Sequence, residues 1–194
     1  MKKTLIKQMV TLGILGGLVA ALSLIKIPLG QFSITLALIP LVVGAILYGP
    51  KGGAFLGLIM GVVILFVDAA YFYAFNPFGT IVTVLLKSTA AGFVSGLVYN
   101  LLKKKTKLGS IILATIVAPI VNTGVFLLGC LVFFYPLIQG AASEAGQGVL
   151  VFILVSYIGL NFIVEFTINC VLAPSVVYLI NVISKNYDLG TKEE

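Results

Sequence analysis

The chain has no histidine and no arginine, and its 194 residues include only two cysteines. Lack of histidine removes the commonest general base and metal ligand. There is also no Gly-rich phosphate loop with its Lys-Ser/Thr pair, and no paired carboxylates within one motif. An enzyme is therefore not expected, and neither is a cofactor or metal bound by this chain. A chain without a nucleotide site does not drive transport with ATP by itself. Cys130 and Cys170 lie in unrelated apolar runs and read as small apolar fillers rather than a disulfide framework. Charge is scarce as well: 9% of residues are charged against 60% hydrophobic, and the mean hydropathy is +1.20. A soluble surface needs more charge than this, so the class is an all-α integral membrane protein. The net charge of +6 comes from lysine alone. Those lysines cluster in short segments beside apolar runs, the pattern of cytoplasmic membrane loops rather than of a nucleic-acid surface. Soluble domains, fixed-period repeats and low-complexity tails are not apparent.

What is present is a single membrane domain over residues 1–194. Lys, Pro and Gly punctuate it into six helix candidates at 4–25, 35–48, 53–75, 77–102, 108–135 and 149–184. The basic start and apolar run from Met9 to Ile25 resemble a signal peptide, but the run is long for a signal core, so a retained first helix is expected. The second candidate falls short of the roughly 20 residues a span needs. Pro174 should kink the last helix or be accommodated by its neighbours. Lys2, Lys3, Lys7, Lys51, Lys103, Lys104, Lys105, Lys107, Lys185 and Lys192 all fall on one side of a six-span topology, which makes both termini cytoplasmic. The opposite side carries Lys26 and three connections: 26–34, a turn at Asn76-Pro77, and 136–148. The first and third are Gly-bearing and read either as lids or as plain connecting loops.

Lys87 lies deep inside the fourth run, where a charge costs a few kcal/mol even on lenient insertion scales. At about 1.5 Å per residue, Lys87 stands roughly 24 Å from Lys103, Asn122 roughly 22 Å from Lys107, and Asn169 roughly 24 Å from Lys185. Glu165, Asn161 and Tyr157 follow Asn169 outward at four-residue steps, near one helical face. Three helices thus raise polar groups to one level of the outer half. Two readings stand side by side. In the structural one, Lys87 pairs with Glu165 while the asparagines join helices by hydrogen bonds. In the functional one, Lys87 binds an anionic or carbonyl group of a small solute, with Asn76, Thr83, Asn122, Asn161 and Asn169 supplying polar contacts. Tyr71, Phe72, Tyr73, Phe75 and Phe78 then form an aromatic wall, or simply an interfacial belt, and Phe32 closes over the site. Asp68, near the outer end of the third helix, has no obvious partner in the sequence. Gly13, Gly17 and Ala21 fall at i, i+4 and i+8 of the first helix, with Gly16 and Ala20 beside them, a stripe for close helix approach within the bundle or to a partner subunit.

With the basic start and small-residue first helix, the blocks KIPLGQFSITLALIPLVVGAILYGPKGGAFLG, NPFGTIVTVLLKSTAAGFVSGLVY and NFIVEFTINCVLAPSVVYLI resemble the substrate-binding S component of an energy-coupling factor (ECF) transporter. The resemblance spans nearly the whole chain. It implies a six-helix protein of the bacterial plasma membrane that captures a water-soluble vitamin from outside. It also implies docking, through Gly13, Gly16, Gly17, Ala20 and Ala21, onto a transmembrane coupling protein served by two cytoplasmic ATPases, which use the ATP and Mg. Solute release inside then follows toppling in the bilayer. The chain looks most like the pantothenate-type branch; riboflavin, folate and a queuosine precursor are the other ligands considered. A solitary proton-coupled carrier using Asp68 or Glu165 is the competing class.

Overall fold

A computed structural model describes residues 2–25, 27–29, 32–34, 36–157 and 159–186, excluding the side chains at 2–5, 7, 27–29, 32–34, 156, 157, 160, 161 and 183–186. The elements in order are α1 (Lys2–Leu24), β1 (Ile27–Leu29), β2 (Phe32–Ile34), α2 (Leu38–Val67), α3 (Ala70–Phe75) and α4 (Pro77–Leu102). They continue with α5 (Lys107–Phe133), α6 (Tyr135–Glu144), α7 (Val149–Val151, running into a π-helical stretch Phe152–Tyr157) and α8 (Gly159–Asn186). The fold is all-helical apart from the two three-residue strands. These pair antiparallel, Ile27 with Ile34 and Leu29 with Phe32, and β2 rests against α8.

The continuous α2 run is in fact a hairpin. Gly49 takes φ 71° and ψ −167°, a conformation open to glycine because it has no Cβ. Pro50 follows, its missing N–H harmless at the start of a helix. Segments 38–48 and 50–67 then fold back on one another: a Cβ on Gly44 would strike the Leu56 side chain, and one on Gly53 would lie 2.7 Å from Ala45. In one straight helix Gly44 and Leu56 would be about 18 Å apart.

The second arm of this hairpin lies antiparallel against α4, backbone to backbone. Gly53 and Gly92 face each other so closely that a Cβ on either would strike the other's carbonyl oxygen, and a Cβ on Gly57 would strike that of Ser88. Gly96 abuts Pro50 in the same way, at 2.7 Å. Without water to drive helices together, such small-residue contacts supply the packing and dispersion that hold membrane helices. α5 packs next against α4, Gly129 opposite Thr83 and Gly79 opposite Phe133, and α8 closes on α5.

Two apolar clusters result. One joins α1, α2, α4, α5 and α8 through Leu15, Val19, Leu41, Leu56, Ala91, Ala118 and Val176. The other gathers Phe72, Cys130, Phe134, Ile138, Phe152 and Ile153 at the end of the bundle formed by α3, α6 and α7. Large apolar side chains such as Met9, Phe66, Val132, Val171 and Tyr178 point outward, as a lipid-facing surface requires and a soluble one does not tolerate at this density.

Three details depart from the sequence-based expectation. The third helix stops at Val67, where the Asp68 N–H bonds the Ile64 carbonyl, and α3 follows as a separate short helix. The 136–148 connection is largely the helix α6. Helix length gives four spans among the described residues, or five if Tyr135–Glu144 and Val149–Val155, bent by 98°, count as one broken span. The hairpin accounts for one of the missing spans: its two arms merge into one 30-residue run.

Candidate functional site

Between the two apolar clusters lies a polar layer. On α5, Ala118 belongs to the first cluster and Phe126 to the second, with Asn122 one turn from each. On α8, Phe162 and Val176 bracket Glu165 and Asn169 in the same way. α4 contributes Lys87. Glu165 is 4% exposed, Asn122 6% and Asn169 1%, so these groups are removed from bulk solvent.

Each has a defined neighbour. The Asn122 side chain hydrogen-bonds Glu165. The Asn169 amide nitrogen donates to the Glu165 backbone carbonyl at 2.8 Å, one turn back along α8. The Lys87 ammonium stands over the Phe126 ring, 4.7 Å from its centroid, a cation–π placement. Glu165 and then Asp68 are the acidic groups within electrostatic reach of Lys87. Asp68, which the sequence left without an obvious partner, is therefore tied to the same layer. The Oδ1 atoms of Asn122 and Asn169 and the hydroxyls of Thr83 and Ser88 are buried without a hydrogen-bond partner among the described residues. A buried polar atom left unpaired costs about 1–3 kcal/mol.

The layer thus brings together Lys87, Asn122, Glu165 and Asn169 of the residues expected from the sequence, while Thr83 packs against Gly129, farther along α5. It does not bring in Asn76, whose side chain is spent capping α4 by accepting from the Gly79 N–H at 2.9 Å. Nor does it bring in Tyr73: Tyr71, Tyr73, Phe75 and Phe78 are exposed, and of the expected aromatic wall only Phe72 is buried. A six-residue helix presents one narrow inner face, and Phe72 occupies it. The aromatic wall is instead built across helices, Phe72 meeting Phe126 edge-on at 5.6 Å and Phe134 at 4.8 Å. Phe126 was missed by sequence reading, although it lies four residues after Asn122 and so on the same face. The side chains of Phe32, Tyr157 and Asn161 lie outside the described residues; the backbone of Phe32 sits in β2, against α8.

On α1 the small residues divide. Gly16 is buried, its Cβ position 2.9 Å from Ile59, whereas Gly13 and Gly17 have nothing within 4 Å. Ala21 is exposed and Ala20 half-buried. Gly16 is accordingly used inside the bundle, and the outward stripe is Gly13, Gly17 and Ala21.

The family model for the ECF transporter substrate-specific component matches residues 7–179. The chain belongs to this family. Comparison with curated proteins and with solved structures gave no match. As an ECF substrate-specific component, the chain is a membrane transport subunit for a small molecule that works with an ECF module.

Proposed function

We propose that this S component captures a water-soluble vitamin from the outer face in the layer between α4, α5 and α8. The observation that carries the reading is the set of buried unpartnered acceptors beside a single cation, Lys87. Pantothenate is the first candidate, because one carboxylate, two hydroxyls and an amide match one lysine and several asparagines. Asn161, Tyr157 and Phe32 complete the site, with the β1–β2 hairpin as its lid against α8. Both termini face the cytoplasm, in keeping with the lysine distribution. The Gly13, Gly17 and Ala21 stripe docks on the coupling protein, and two ATPases power the toppling that releases the solute.

Native mass spectrometry of the purified chain tests the reading. A retained small solute is expected. Lys87→Met should weaken binding of an anionic vitamin roughly 10- to 100-fold, the worth of one charge-assisted contact. Unchanged affinity removes the charge-recognition role. A second reading, a solitary proton-coupled carrier, is favoured by one observation: two acids, Glu165 and Asp68, share Lys87 electrostatically. Uptake into vesicles by this chain alone, driven by a pH gradient without ATP, would establish it instead.

A further inference from the structure

The atoms without partners in the layer are not a random mixture of donors and acceptors. Asn169 turns its amide nitrogen to the Glu165 backbone carbonyl. That carbonyl only accepts, so the orientation of the amide is forced and Oδ1 must point away. Asn122 hydrogen-bonds the Glu165 side chain, and its own Oδ1 is left over. Exchanging oxygen and nitrogen in Asn169 would set two acceptors against each other. The groups left over are therefore two amide oxygens on the α5–α8 side. The one ammonium, Lys87, is displaced toward the Phe126 ring, at the side of the aromatic cluster.

The layer is thus polar in the directional sense, donor-bearing at Lys87 and acceptor-bearing at Asn122, Glu165 and Asn169. We infer that it accepts its substrate in one orientation: a single anionic or carbonyl end at Lys87, and an edge with at least two N–H or O–H donors on the Oδ1 atoms of Asn122 and Asn169. This rests on the S-component reading and narrows its substrate class. Hydroxylated amide acids, and heterocycles with several N–H groups and one acceptor end, fit. Compact dianions do not, since their far end would set oxygen against oxygen in a site of low dielectric, where unpaired acceptors are most costly.

The test uses the full chain in lipid nanodiscs. Binding of pantothenate, riboflavin and folate is measured against succinate, a dianion without donors, and the solute retained from expression is identified by native mass spectrometry. The expected result is a retained solute with two or more donors on one edge, and no detectable succinate binding. Asn122→Leu should weaken binding of the retained solute by about tenfold or more, one lost buried hydrogen bond. Lys87→Met should weaken it only when that solute bears an anionic end. Succinate binding as tightly as the retained solute overturns the inference while leaving the S-component reading intact. So does a retained solute without a donor pair. A chain that retains nothing and binds none of the four probes overturns both. The wild-type comparison needs no variant, so a poorly folding Asn122→Leu protein does not rescue the idea.

Discussion

A lysine inside a lipid-facing bundle needs compensation, and at the scale of single residues this chain supplies two kinds for Lys87. Phe126 offers its ring face, and Glu165 and Asp68 offer charge. Cation–π contacts are worth about 0.5–1 kcal/mol when exposed and about 2 or more when desolvated. A double-mutant cycle on Lys87→Met and Phe126→Leu should therefore show a coupling energy of about 1–2 kcal/mol in the unliganded protein. Thermal unfolding in detergent reads it, and additive effects would show that the two side chains are merely adjacent. At the same scale Asn76 differs from the buried asparagines: its Oδ1 accepts from the Gly79 N–H and caps α4, as Asn does at helix starts.

At the scale of elements, the bundle is organised around the seam between α2 and α4. Gly53, Gly57 and Gly92 allow two backbones to touch, and any side chain there must push helices apart. Gly92→Ala should lower stability by about 1–3 kcal/mol, the usual penalty of overpacking, with larger residues worse. Gly13→Ala and Gly17→Ala, with open space around them, should leave the melting temperature unchanged or slightly raised through better helix propensity. Equal losses at all three glycines would contradict the seam. Gly49 is a different case: its φ of 71° with ψ −167° makes the hairpin turn itself, so Gly49→Ala should cost about 1–3 kcal/mol in backbone strain.

At the scale of the molecule, the stripe on α1 is exposed whereas the polar layer is buried inside the bundle. Capture and docking should therefore separate. Gly17→Leu is expected to abolish co-purification with the ECF module while leaving solute retention intact; loss of both would indicate a folding defect instead. By itself the sequence determined the membrane class, the punctuation into apolar helices, and the level to which Lys87, Asn122, Glu165 and Asn169 rise. Those follow from composition and from the fixed rise of a helix, which are local properties. It did not determine which small residues face inward. Gly16 and Gly17 are adjacent and chemically identical, yet one packs against Ile59 and the other meets nothing. It did not reveal the α2–α4 seam, because close approach is a property of two helices, and neither carries the other's register in its own pattern. Nor did it say which polar atoms of the layer would be left over. The Asn169 amide finds the Glu165 carbonyl within α8 itself, but Glu165 meets Asn122 only when α5 and α8 pack together.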